Sequence, residues 1–310
     1  MRVLLLHNPT AGNEDAAGAS LVRAFDEAGH SVTYWSTGHK GWRKGLDAAV
    51  DVVVVAGGDG TVRKAALALA ERPGIRTPLS IVPTGVANNI ARMLEISGTV
   101  ERIAAGLAGG RMTRLALGAA RASWGVTRFV ESAGVGFFAR MLIEPPAPDV
   151  KAGAKRVLRR LAQATTRHIR ITADGRDLTG DYLLALAMNG ACIGPRMELA
   201  PDADVGDHQL CLLLIGESQR AAVTRYLERL IAGEAASIDL ETHKVRHVWM
   251  DWKKRCGHVD DTPWPSGKGQ RGSGWVTLEV DTLLAVLKPA VSPVPARAPR
   301  AARRRAAARA

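Results

Sequence analysis

The residues best suited to chemistry in this chain lie in one stretch, DVVVVAGGDGTVRK at 51–64. Four valines and an alanine make an apolar run of strand length without polar alternation, the pattern of a strand buried on both faces. Three glycines, Gly57, Gly58 and Gly60, break it at once and surround a single charge, Asp59. A helix-forming run follows. At such a strand, turn, helix passage the first helical amides lack partners, and with the macrodipole they favour an anion such as a phosphate. Glycine lets the backbone come close to that ligand. A plain βα turn with Asp59 as a helix N-cap is the competing reading. The stretch lacks the GK[ST] of a Walker A loop and is not G-x-G-x-x-G, so neither of those phosphate-binding classes is supported.

The elements that must position this turn are legible around it. Residues 2–6 read as a first strand, the turn NPTAG follows, and a helix spans 15–28 until Gly29 stops it. A second strand is expected over 31–35, a second helix over 41–50, a helix over 62–72 ended by Pro73-Gly74, a strand over 79–82 and a helix over 87–94. Alternating strands and helices imply an α/β domain with a parallel sheet, and ligands bind beyond the carboxyl ends of its strands. From about Arg111 the pattern changes to short strands over 113–117, 127–131, 168–173, 181–188, 209–215, 247–251 and 274–280, interrupted by helices over 152–164 and 218–232. This predicts a β-rich, sandwich-like second domain. The domains are placed at 1–110 and 111–289, with a disordered basic tail over 290–310.

Composition narrows the class. The 310 residues are 46% apolar and 23% charged, an ordinary globular balance for two domains. The first apolar run ends at His7-Asn8-Pro9, too soon for a signal peptide, and no later run approaches membrane-spanning length, so the expectation is a soluble intracellular protein. Cys192, Cys211 and Cys256 lack metal-ligand spacing and read as small buried hydrophobes in a reducing compartment. The net charge of +12 is localised: residues 151–170 and 282–310 each carry seven Lys or Arg and no acid, while the rest of the chain has 28 basic and 30 acidic residues.

Three motifs stand in register: HNPTAG at 7–12, GGDGT at 57–61 and PTGVANNIAR at 83–92. In order and spacing they resemble the diacylglycerol kinase catalytic family, which includes bacterial lipid kinases and sphingosine kinases and is related to NAD kinases. GVGFFA at 134–139, MNGACIG at 188–194, LAPDADVGDHQL at 199–210 and HVDDTPWP at 258–265 extend the resemblance to about residue 289. It implies an enzyme that takes ATP and Mg²⁺ in an interdomain cleft and transfers the γ-phosphate to a lipid hydroxyl. Nucleotide contacts then fall to Asn8, Gly12, Gly57, Gly58, Asp59, Gly60, Thr61, Thr84, Gly85 and Asn88.

By the same resemblance Asp260 takes the place of the aspartate in the family's D-G-E and is the expected general base. Asp59 is the second candidate, orienting the acceptor or acting through Mg²⁺. Asp204 and Asp207 match a loop that carries magnesium in some members. The chain also departs from the family. Asp261 and Thr262 replace the glycine and glutamate of D-G-E, His208 stands at a usual glycine, Lys64 at a usual glutamate, Val86 at a threonine and Asn89 at an aspartate. These losses leave open an NAD kinase-like enzyme, or a degenerate protein that binds nucleotide and membrane without turnover.

Residues 151–170 place Val157, Leu158 and Leu161 on one side of a basic helix, suited to lying on an anionic bilayer. The arginine tail would reach the same surface by charge. The expected partners are therefore a lipid substrate and an anionic membrane surface, at the cytoplasmic face of the inner membrane. A homodimer is compatible with the sequence, and no specific nucleic acid is expected, because no reader motif accompanies the basic residues.

Overall fold

The computed structural model describes residues 1–9, 18–72, 74, 76–142, 144–252, 257–265 and 274–290. Gly12, Cys256 and the tail beyond residue 290 lie outside them.

Strands β1 (Arg2–His7), β2 (Ser31–Ser36), β3 (Val52–Gly57) and β4 (Leu79–Pro83) pair in parallel in the order β4-β3-β1-β2. All six residues of β3 are buried, as its unbroken apolar run requires. Helices α1 (Gly18–Glu27), α2 (Asp59–Ala70) and α3 (Asn89–Met93) follow β1, β3 and β4. A further helix, α4 (Val100–Gly106), opens with Thr99, whose hydroxyl accepts the Arg102 amide. The helix expected over 41–50 is instead a 3₁₀ segment, Trp42–Asp47. Its Gly45 lies under Trp35, where an added Cβ would meet the indole at 2.8 Å, so a close contact decides the local geometry.

The second domain is a β-sandwich. One layer is a six-stranded sheet that contains β7 (Ser132–Gly136) between the strands Leu184–Met188 and Gly257–Val259. Val135, Ala187 and Leu212 of this layer pack against Phe129, Met250 and Leu278 of the facing sheet. The facing sheet runs on without a break into the parallel sheet of the first domain, ten strands in all. The join is the long strand Gly274–Lys288, which pairs along β5 (Arg111–Ala122) and meets Leu79 of β4 at Val286. The final strand thus continues well past residue 280, and 111–289 lends its last strand to the first domain. Strand β6 (Gly125–Phe129) extends the sheet beside β5.

On the outer side of the six-stranded sheet lie α5 (Val150–Ala162) and α6 (Arg220–Ala232). Val157 and Leu161 of α5 are buried against Tyr226 and Leu227 of α6. This corrects the bilayer-facing reading of the helix: its apolar stripe is core. Its basic side is partly neutralised, since Arg156, Arg159 and Arg160 all pair with Glu144. Only Lys151, Lys155 and Arg159 are well exposed among the basic residues of α5.

Candidate active site

Strands β1, β3 and β4 are adjacent and parallel, so the turns that follow them open at one sheet edge. Asn8 closes the first: its amide donates to the Ala56 carbonyl at 3.0 Å and its Nδ2 to Thr61 Oγ1 at 3.1 Å. The second and third turns interlock. A Cβ on Gly85 would lie 2.4 Å from Gly58 Cα, and one on Gly57 would lie 2.6 Å from Thr61 Cβ. Only glycine permits this approach. Asn88, in a left-handed conformation with φ 54°, spans the third turn by accepting the Gly85 amide at 2.9 Å and donating to the Gly85 carbonyl at 2.7 Å. Thr84 donates its amide to the Gly57 carbonyl at 3.2 Å. The expected nucleotide residues that the structure describes therefore come together at the N-terminal end of α2. An alcove of about 880 Å³ lined by Thr84, Gly85, Val86, Thr99, Glu101 and Lys151 adjoins them.

Beside the turns a second cleft of about 320 Å³ separates the two domains. Its lining mixes polar residues, Asp59, Asn89, Glu131, Ser132, His258 and Asp260, with the apolar Phe138, Leu142, Pro146 and Ile193. The second domain is clasped to the first here. Arg196 donates to the carbonyls of Val86 and Ala87 at 2.7 and 3.1 Å, and Asn89 Nδ2 donates to the Gly194 carbonyl at 2.8 Å.

The carboxylates differ in how they are held. Asp59 Oδ1 accepts the Ile90 amide at 2.9 Å, capping α3 rather than its own helix. Burial raises its carboxyl, opposed by the amides of Ile90, Asn89 and Asn88. Asp260 accepts the amides of Val130, Glu131 and Ser132 at 3.0, 2.8 and 3.1 Å, with Arg63 Nη1 4.0 Å from its Oδ2. Burial pushes Asp260 up to about 6, against Arg63 and those three amides. Asp261 pairs directly with Arg63. Glu131 receives one side-chain donor, Asn89 Nδ2, at 3.1 Å. Burial, with Asp59 and Asp260 nearby, holds its carboxyl well above the usual range.

Sequence reasoning did not single out Glu131, Arg63, His258 or Arg196. His258 was quoted within a motif but given no role. It is fully buried, stacks on Phe138 at 6.0 Å, has no partner at Nδ1 among the described residues, and is lowered to about 4 by burial. Signals for the other three were absent, because each acts through a residue distant in the chain.

The expected metal pair lies elsewhere. Asp204 Oδ1 accepts the Gly206 amide at 2.8 Å and Asp207 Oδ1 the Gln209 amide at 2.9 Å, two adjoining turns that do not line the cleft. Among the described residues no three His, Cys, Asp or Glu side chains are close enough to hold a metal ion. Among the described residues no helix is long and apolar enough to cross a membrane.

Comparison with known proteins matches this architecture. Residues 2–120 match the diacylglycerol kinase catalytic domain, and residues 151–262 the YegS C-terminal NAD kinase beta sandwich-like domain. A Pectobacterium atrosepticum protein named "Probable lipid kinase YegS-like" is 30% identical over 226 residues, 70% of this chain and 75% of that protein. The "Diacylglycerol kinase" of Bacillus subtilis is 25% identical over 251 residues, 75% of this chain and 80% of that one. The crystal structure of a diacylglycerol kinase from Bacillus anthracis has the same fold, with a TM-score of 0.67 at 19% identity over 93% of this chain and 97% of that chain. From its interlocked glycine turns to its paired domain matches, the chain belongs to the diacylglycerol kinase catalytic-domain family and carries that family's β-rich YegS-type domain.

Proposed function

We propose that the protein is an ATP- and Mg²⁺-dependent lipid kinase that transfers the γ-phosphate to the hydroxyl of a diacylglycerol-like lipid. The observation that carries this reading is the cleft itself: the glycine turns open beside it, and its lining combines the carboxylates of Asp59, Glu131, Asp260 and Asp261 with the apolar side chains of Phe138, Leu142, Pro146 and Ile193. A lipid headgroup suits such a lining, its hydroxyl turned to the acids and its first apolar segment to the apolar side chains.

Phosphoryl transfer asks a protein mainly for positioning and charge stabilisation. Asn8, Thr61, Thr84, Gly85 and Asn88, at the N-terminal end of α2, would hold the phosphates. Mg²⁺ would enter on the phosphates, whose oxygens and waters fill most of its shell, and would neutralise charge as the phosphoryl group moves. Arg63 tempers the negative end of the cleft, and the Arg196 clasp fixes the width of the opening. Lys151 and Lys155 of α5 and the basic tail would draw the protein to anionic lipid by charge alone.

The test is transfer of labelled γ-phosphate from ATP to a panel of lipids in anionic vesicles, with NAD as a soluble acceptor beside them. Labelled diacylglycerol phosphate supports the reading. Label in NAD alone would move the protein to the soluble-substrate enzymes, and ATP binding without product would make it a binding protein.

A further inference from the structure

Four carboxylates line the cleft, and three are tied to main-chain amides or to a cation. Asp59 caps α3 through the Ile90 amide, and Asp260 accepts three consecutive main-chain amides. Asp261 pairs with Arg63 and accepts the Thr262 hydroxyl at 2.9 Å. A carboxylate that caps a helix or stitches a loop cannot turn to a substrate without unpairing buried amides, which is costly. Glu131 differs. Its main chain is fixed at both sides, the amide to Asp260 Oδ1 at 2.8 Å and the carbonyl to the Asn189 amide at 2.8 Å. Its carboxylate carries one bond, from Asn89. Asp261 keeps its Oδ2 but holds Arg63 through Oδ1 and is 56% exposed; among the described residues Glu131 is the cleft acid whose carboxylate is bound to no cation and to no main-chain amide.

We infer that Glu131 is the proton acceptor for the lipid hydroxyl, the role that sequence resemblance assigns to Asp260. The inference rests on the kinase reading above. As the hydroxyl oxygen bonds to the γ-phosphorus, its O–H bond breaks and the proton passes to Glu131. The bond from phosphorus to the bridging oxygen breaks in turn, and its electron pair leaves on ADP. Asn89 steers the Glu131 carboxylate by holding Oε1, a service that an aspartate at position 89 could not give, since a carboxylate donates nothing at neutral pH. The replacement of aspartate by Asn89 thereby becomes part of the device. The groups facing Glu131 are Asp59 and Arg63 of α2, Asn89 of α3, His258 of the strand Gly257–Val259, and Asp260 and Asp261 beyond it. Their balance is acidic, which with burial keeps the Glu131 carboxyl high, as suits a base working near neutral pH.

The experiment compares the native chain with Glu131→Gln and Glu131→Asp, using ATP, Mg²⁺ and diacylglycerol in anionic vesicles from about pH 5 to 9. Glutamine keeps the oxygen that Asn89 holds. We expect kcat to fall by about 10²- to 10⁴-fold in Glu131→Gln, with the KM for ATP near native and the acidic limb of the profile gone. Glu131→Asp should restore part of the rate and retain a limb. If Glu131→Gln melts like the native chain and transfers phosphate at the native rate with the native limb, the assignment is overturned while the kinase reading stands. If Glu131→Gln does not fold, an unchanged rate and pH profile in Glu131→Asp overturns it instead. A native chain that phosphorylates no acceptor overturns both.

Discussion

Asp260 and Ser132 hold each other twice: the Asp260 amide donates to the Ser132 carbonyl at 2.7 Å, and Asp260 Oδ1 accepts the Ser132 amide at 3.1 Å. The pair extends by one step the ladder between β7 and the strand Gly257–Val259. It holds Asp260 at φ 50°, a left-handed conformation unfavourable for a residue with a side chain. An asparagine at 260 would turn an amide group toward at least one buried N–H. Asp260→Asn should therefore displace Glu131 and lower activity, while the roughly 1–3 kcal/mol lost with the acceptor is set against relief of the buried charge at neutral pH; native activity in the variant would contradict this clamp.

The same residue and its neighbour His258 give opposite pH signatures. Asp260 titrates at about 6 in the fold against an ordinary 3.8, so the native state holds that proton more tightly than the unfolded chain. Ionised Asp260 then costs stability, and the cost is relieved as pH falls through 6 toward 4. His258 titrates at about 4 against an ordinary 6.5, so the native state holds its proton less tightly, and stability is lost as pH falls from 6.5 toward 4. Each shift is worth about 3 kcal/mol when integrated, so the two nearly cancel in the native chain. Asp260→Asn should lose stability on acidification through this window relative to native. His258→Asn should gain it, helped by Glu131, whose carboxyl is raised in the same sense. Parallel pH dependence in both variants would contradict the assignment.

Much of the fold was legible because periodicity and glycine turns are local signals. The buried run of β3, the three turns and the change to short strands after residue 110 all follow from neighbouring residues. Strand β7 was missed because its sequence, SAGVG, has low strand propensity. The glycines are there for space: a Cβ on Gly134 would lie 2.2 Å from the Ala185 carbonyl oxygen. The apolar stripe of α5 was seen, but a stripe does not say whether lipid or α6 covers it. The site was half legible. Glycine-rich βα turns announce themselves, whereas Glu131 meets Asp260 and Arg63 meets Asp261 across separations of 129 and 198 residues that topology alone closes.

The glycine interlock predicts a binding defect. Gly85→Ala would set a methyl 2.4 Å from Gly58 Cα, backbone against backbone, so one turn must move. We expect a loss of about 1–3 kcal/mol in stability and at least a tenfold weaker affinity for ATP by calorimetry, since a kcal/mol or two in the cradle is worth that factor. Unchanged affinity would place the nucleotide elsewhere.

Core and charge on α5 separate cleanly. Leu161 is fully buried, so Leu161→Ala should cost about 2–5 kcal/mol, while vesicle binding measured below its melting range stays native. Lys151→Glu with Lys155→Glu should leave the melting temperature within a few degrees and weaken sedimentation with anionic vesicles. The reverse pattern would return the apolar stripe to the bilayer.

The central claim is tested most directly by following label from γ-³²P-ATP into the organic-soluble fraction of anionic vesicles that contain diacylglycerol, with Mg²⁺ or with excess EDTA. The account predicts labelled lipid phosphate that depends on Mg²⁺ and on Glu131. Label that remains in ATP, or that passes only to water or to NAD, would contradict it.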